Sequence, residues 1–149
     1  MKVKVFPLDE SPGFWVYRTH TQGSNRLRKT LQTSGYDLTP EQCGVLVRLR
    51  ELQGINQSQL GKRLFKDRHS INRILNLLEK RGYIERRADE TDKRIYRIFL
   101  TGSGGSVSEE LVPLLSDHLE RMFAGLTEED LLVMRRTLEH IIGNIEAEP

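Results

Sequence analysis

The run Asp92-Lys93-Arg94-Ile95-Tyr96-Arg97-Ile98-Phe99-Leu100-Thr101 constrains this 149-residue chain more than any other stretch. Ile95, Arg97 and Phe99 alternate with Tyr96 and Ile98, the pattern of a half-buried β-strand. A companion run, Tyr83-Ile84-Glu85-Arg86-Arg87, precedes it, and Ala88-Asp89-Glu90-Thr91 supplies turn residues between them. The pair reads as one β-hairpin with a charged tip. Two strands are barely stable alone in water, so this hairpin must rest on the segments before it.

Those segments carry helix punctuation. Ser11-Pro12 predicts a first helix to about Leu31 or Thr33, stopped by Gly35. Residues 1–10 read as a short arm, extended through Val3 and Val5. Thr39-Pro40-Glu41-Gln42 has the form of a capping box and starts a second helix, with Val45, Leu46, Leu49 and Leu52 inward and Gly54 as its stop. Asn56 caps a short third helix through Leu64. Asp67 caps a fourth from about Arg68 to Arg81, closed by Gly82. Beyond the hairpin, Gly102-Ser103-Gly104-Gly105-Ser106 reads as a breaker-rich link. The next helix carries Val107, Leu111, Leu114, Leu115, His118, Leu119, Met122 and Phe123, and Pro113 marks a kink or a fresh start in it. Thr127 opens a last helix whose stripe is Leu131, Met134, Leu138, Ile141, Ile142 and Ile145.

The formal net charge of +2 conceals an uneven distribution. Residues 56–101 hold twelve Lys/Arg against six Asp/Glu, whereas 102–149 hold three against ten. A basic module of this density suggests a polyanionic partner. On the fourth helix Ile71, Ile74, Leu75 and Leu78 share one arc, and His69, Arg73, Asn76 and Lys80 share the opposite one, flanked by Ser70 and Asn72. Arg pairs bidentately with guanine, Asn with adenine, and Ser or His adapts to either. The third helix offers Asn56, Gln57, Ser58 and its free N–H groups to a phosphate, with Lys62 and Arg63 adding charge. In the hairpin, Arg87, Lys93 and Arg94 flank the turn and are placed for a minor groove, Asp92 bracing Arg94. Short helix, polar helix and basic hairpin together make a winged helix-turn-helix that reads double-stranded DNA.

These residues resemble the MarR family of winged-helix transcription regulators. The likeness runs from Leu38-Thr39-Pro40-Glu41-Gln42 to Thr101-Gly102-Ser103-Gly104. It is strongest in Ile55 to Leu60, in Leu78 to Arg87 and in Asp89 to Thr101, where the family's Asp-x-Arg and its strand ending in Leu-Thr appear as Asp92-Lys93-Arg94 and Leu100-Thr101. The resemblance implies a fold that is mainly α with a small β-hairpin wing and a helical dimerisation lobe. Residues 1–37 would be the N-terminal arm and dimerisation helix, 38–101 the DNA-binding lobe and 102–149 the C-terminal dimerisation helices. It further implies a homodimer on a palindromic operator, acting as a repressor until a small aromatic or anionic ligand, or an oxidant, releases it. Carried over, Arg68 to Arg73 would face the major groove, and Lys93 and Arg94 the minor groove. Phe65-Lys66-Asp67 replaces a small-residue turn, and His69, Asn72 and Asn76 are uncommon choices, which leaves the operator sequence open.

Other classes find little support. Cys43 is the only cysteine, so no intrachain disulfide or cysteine zinc cage is available. It reads as a small buried thiol, with redox sensing as the alternative. His20, His118 and His140 lack ligand spacing, so no metal or cofactor is expected. No Ser/His/Asp order, His-Glu-x-x-His or paired carboxylates suggest an enzyme. Gly102 to Gly105 lacks the rest of a phosphate loop and fits a hinge between the DNA-binding and dimer lobes. Trp15 and Tyr17 line either a ligand pocket or plain dimer core. No run approaches about 18 apolar residues and no signal-peptide core opens the chain, so the expected location is cytoplasmic and away from membrane. The competing class is a winged-helix protein-interaction module without DNA binding.

Overall fold

The structure, a computed structural model, describes residues 7–147; the arm expected through Val3 and Val5 lies outside the described residues. The chain divides into two compact units, one ending at Asp117 and one beginning at His118. After a short 3-10 turn, Leu8–Glu10, come α1 (Pro12–Thr33), α2 (Pro40–Leu49), β1 (Ile55–Asn56), α3 (Gln57–Arg63), α4 (Arg68–Lys80), β2 (Ile84–Ala88) and β3 (Tyr96–Leu100). Helix α5 (Gly102–Met122) ends the first unit and enters the second, which holds α6 (Glu128–Glu146). This is the mainly helical winged-helix architecture, with one difference in the sheet: among the described residues it has three strands, not two.

The helix starts follow the cap chemistry with one exception. Thr39 and Gln42 form a reciprocal capping box, at 3.2 and 3.0 Å, and Asn56 with Gln59 forms another. Asp67 accepts the Ser70 N–H at 2.9 Å. Ser11 occupies the N-cap position of α1, but its side chain makes no cap hydrogen bond; its carbonyl accepts from the Trp15 N–H at 3.2 Å instead. Gly35 and Gly82, with φ of +86° and +74°, end α1 and α4. Helix α2 stops at Leu49, well short of the expected Gly54. The sheet captures the segment: the Gly54 N–H donates to the Ile98 carbonyl at 2.9 Å, and β1 then pairs with β3 through Ile55–Ile98 and Asn56–Arg97. Two residues are too few to show alternation, so β1 left no periodic signal.

The sheet order is β1-β3-β2, antiparallel throughout, with Ile84 opposite Leu100, Arg86 opposite Ile98 and Ala88 opposite Tyr96. Ile84 and Ile98 turn inward and join Leu31, Leu46, Leu49, Leu60, Ile71, Leu75, Leu78 and Leu111, all essentially inaccessible to solvent. Each such side chain contributes about 1.5–3 kcal/mol on burial, enough to fix the hairpin against the helices.

The glycine-rich link is not a link. Gly102 to Ser106 is the first turn of α5, which runs unbroken past Pro113. Thr101 caps it: its Oγ1 accepts the Gly104 N–H at 3.0 Å and donates to the Gly82 carbonyl at 2.6 Å, while its own N–H donates to the Tyr83 carbonyl at 3.1 Å. A Cβ built on Gly104 would lie 1.8 Å from the Tyr83 oxygen. Gly104 is there for close backbone approach, not slack, and the hinge expected from the sequence is replaced by a helix docked on the α4–β2 junction.

In the second unit, Thr127 and Asp130 form the capping box that starts α6. None of its residues is buried, and Leu132, Val133, Met134, Ile141, Ile142 and Ile145 are exposed. No described helix is long and apolar enough to cross a membrane.

Candidate nucleic-acid interface

Helix α4 is built to show one face. Ile71, Ile74, Leu75 and Leu78 are buried, so Arg68, His69, Asn72, Arg73, Asn76 and Lys80 are left outward. The preceding turn carries the one positive φ outside glycine among the described residues, Phe65 at +51°, with its ring 85% exposed. That turn brings the N-terminus of α4 beside α3.

Between α3, the start of α4 and the wing tip lies a groove of about 590 Å³. It is lined by the cations Lys62, Lys66, Arg68 and Arg94, by Asn56, Gln57 and Ser58, and by the apolar Ile71, Ile95 and Tyr96. No carboxylate lines it. Lys66 turns part of its charge to Glu41, at 3.3 Å. Such a trough of positive charge with peptide N–H groups at one end suits a phosphate backbone.

The residues expected to meet a polyanion fall into distinct groups. Arg68, His69 and Arg73 are exposed on α4, Lys62 and Ser58 on α3, and Lys93 on the wing. The Ser70 hydroxyl is engaged elsewhere, donating to Asp67 at 2.7 Å as part of the α4 cap. The Asn56 side-chain oxygen is likewise held by its cap role, accepting the Gln59 N–H at 2.9 Å. Asn72 and Asn76 are tied to the wing: both side-chain carbonyls accept from Arg86, at 3.4 and 2.9 Å, and Asn72 also accepts from Gln57 at 3.4 Å.

In the wing, Asp92 accepts the backbone N–H of Arg94 at 3.0 Å and its Nε at 3.1 Å, while the Arg94 side chain is 91% exposed. Arg87 stands apart from this tip. Strand alternation puts it on the other side of the sheet from Arg86, where its guanidinium lies 4.5 Å from the Phe99 ring centre and pairs with Glu85. The wing loop itself is organised by Asp89, a buried carboxylate accepting from Thr91 Oγ1, the Thr91 and Asp92 N–H groups and Arg97. The Thr91 hydroxyl and N–H, then the Asp92 N–H and Arg97, hold Asp89 well below the usual carboxylate range. Arg97 also donates to the Gly54 carbonyl at 2.9 Å, which ties the loop to β1.

The sequence reading missed Arg86, Asp89 as a hub and Arg97. Arg86 had a signal: with period two, Ile84, Arg86 and Ala88 share a face, and Ile84 is the buried member. Cys43 is fully buried on α2, and burial pushes its thiol up to about 11. Among the described residues no cluster of His, Cys, Asp and Glu could hold a metal ion.

Comparison with known proteins agrees with this geometry. A model of the MarR family matches residues 36–95. The HTH-type transcriptional regulator SarZ of Staphylococcus haemolyticus is 32% identical over 109 residues, 73% of this chain and 73% of that protein. The transcriptional repressor MprA of Escherichia coli K12 is 31% identical over 117 residues, 76% of this chain and 66% of that protein. A cysteine-to-serine mutant of MarR from E. coli, solved in complex with operator DNA, superimposes with a TM-score of 0.79 at 25% identity, covering 87% of this chain and 91% of that one.

Proposed function

Because this chain belongs to the MarR family of DNA-binding transcriptional regulators, we propose that it represses transcription as a homodimer on a palindromic operator. Residues 38–101 would be the DNA-binding lobe, and 1–37 with 102–149 the dimerisation segments. The observation that carries the reading is the four-cation groove without a carboxylate, set beside an α4 face bearing Arg68, His69 and Arg73. Arg73 would read base edges in the major groove, Lys62 and Ser58 would meet phosphates, and Lys93 and Arg94 would enter the minor groove. A two-fold operator matches two copies of α4 one helical turn apart, about 34 Å. The exposed apolar side chains of α6 support the homodimer, since water is a poor neighbour for six of them on one helix.

The name of the relative MprA supports repression. Release by a small aromatic or anionic ligand is supported by the surface at the start of α1, where Trp15 and Tyr17 are 51% and 67% exposed and the Arg18 guanidinium sits 5.1 Å from the Trp15 ring centre. Redox release through Cys43 has the opposite indication: burial pushes its thiol up to about 11, which disfavours the reactive thiolate at neutral pH.

Fluorescence anisotropy on the DNA upstream of the chain's own gene and on a scrambled duplex, across a salt series, tests the reading. Binding at least about a thousandfold tighter to the first establishes a sequence-specific regulator. Equal and steeply salt-dependent binding refutes specificity, and no binding to either turns the reading to a protein-interaction module.

A further inference from the structure

Arg86 lies on the sheet face shared with buried Ile84 and Ile98, and its side chain is only 15% exposed. One nitrogen pairs with Glu79; the other reaches the side-chain oxygens of Asn76, at 2.9 Å, and Asn72, at 3.4 Å. Residues 72, 76 and 79 follow each other along one side of α4, so the arginine spans two turns of the helix from the wing. A guanidinium has donors and no acceptor. Only the oxygen of an amide can face it, which fixes the flip of both asparagines and leaves their NH2 groups pointing away from the wing. On Asn72 a second donor, Gln57, approaches the same oxygen at 3.4 Å. Two donors fill the two lone pairs of that oxygen.

We propose that Arg86 is a specificity-determining residue, one that turns Asn72 and Asn76 into donor-only probes of the major groove. Resting on the DNA-binding reading above, this assigns them base edges rich in acceptors: guanine, with N7 and O6, or thymine, with O4. The familiar asparagine–adenine pair needs the amide to accept from adenine N6 while donating to N7. At Asn72 the oxygen already has two donors, Arg86 and Gln57, so its accepting half is missing. At Asn76 Arg86 is the one donor among the described residues, and it turns the oxygen toward the wing and leaves the NH2 as the group that faces away from it. Arg86 touches no base itself and acts through the two amides.

Selection of bound sequences from a randomised duplex pool, with the full chain, gives the test. In the wild type, positions whose preference disappears in Asn72→Ala or Asn76→Ala should carry guanine or thymine on the contacted strand, at roughly tenfold over adenine. Arg86→Met removes the donors and should move those positions toward adenine, while Arg86→Lys, again a donor without an acceptor, should retain guanine or thymine. An arginine needed only for stability would weaken every sequence alike and leave the base preference unchanged. Adenine at the Asn-dependent positions of the wild type overturns the inference without any Arg86 variant, so a misfolded Arg86→Met does not rescue it. A pool that yields no preferred sequence at all defeats the DNA-reading function together with it; a preferred sequence indifferent to Asn72, Asn76 and Arg86 defeats this inference alone.

Discussion

Gly104→Ala and Gly105→Ala should move stability in opposite directions, although the two glycines are adjacent in one helix. At Gly105 an added methyl meets nothing within 4 Å. The substitution removes a flexible residue from a helix and should stabilise by about 0.5–1 kcal/mol. At Gly104 the same methyl falls 1.8 Å from the Tyr83 carbonyl oxygen and 2.7 Å from its carbon, both backbone atoms that cannot rotate aside. Ordinary carbon–oxygen contacts begin near 3.3 Å, so α5 and the α4–β2 junction would have to separate by roughly 1.5 Å. That shift strains the packing, at about 1–3 kcal/mol, and breaks the Thr101 hydrogen bonds to Gly82 and Tyr83, at about 1–3 kcal/mol for the groups left unpaired. Less the helix-propensity gain, the net loss is about 1–5 kcal/mol. Urea unfolding followed by circular dichroism, at one protomer concentration for all three proteins, reads both values from the midpoints. If Gly104→Ala stabilises as Gly105→Ala does, the close approach described here is wrong and the segment is the slack tether that its composition suggests.

Four further outcomes are expected. Phe65→Gly should stabilise by roughly 0.5–1 kcal/mol, because it relieves about 1–2 kcal/mol of left-handed backbone strain at φ +51° against the extra freedom of an unfolded glycine; the ring is 85% exposed and little packing is lost, and thermal melts give the sign. Asp89 has its carboxyl lowered in the folded chain, so its contribution is present above the ordinary aspartate value of about 3.9 and fades as pH falls below it. The melting temperature of the wild type should therefore exceed that of Asp89→Asn at pH 7, and the gap should narrow as pH falls from about 4 toward about 2.5; a constant gap would refute the assignment. Arg73→Ala should lose about 1–3 kcal/mol on the operator and relax one base position per half-site, whereas Lys62→Ala should weaken all duplexes and flatten the salt slope by about one unit. Cys43 should resist iodoacetamide in the folded protein and react on unfolding; rapid native labelling would reopen the redox reading.

The readable parts of this fold are those that local chemistry decides. Thr39, Asn56, Asp67 and Thr127 each cap a helix through their own side chains, and Ile71, Ile74, Leu75 and Leu78 bury the arc that a 3.6-residue period assigns them. What sequence periodicity misses depends on partners distant in the chain. Gly102 to Gly105 has poor helix propensity, and it is helical because Thr101, Gly82 and Tyr83 meet there in space. Strand β1 exists because Ile98 is available to pair with Ile55. The interface divides in the same way. The cationic side chains are plain in the composition, but Ser70 and Asn56 belong to caps, Arg87 to Phe99, and Asn72 and Asn76 to Arg86; each assignment depends on a neighbour that spacing alone does not name.

The order of the sheet has a consequence for how the protein behaves in a crowded solution. With β3 in the middle, β1 covers its Arg97 and Ile98, and among the described strands β2 presents the longest outer edge, the five residues Ile84–Ala88. Open edges recruit other strands and seed aggregates. Here that edge reads Ile84-Glu85-Arg86-Arg87-Ala88, three charges in five residues, and charged side chains along an edge disfavour pairing with another strand. The same arginines that hold the wing in place thus act as gatekeepers, keeping a small exposed sheet from growing.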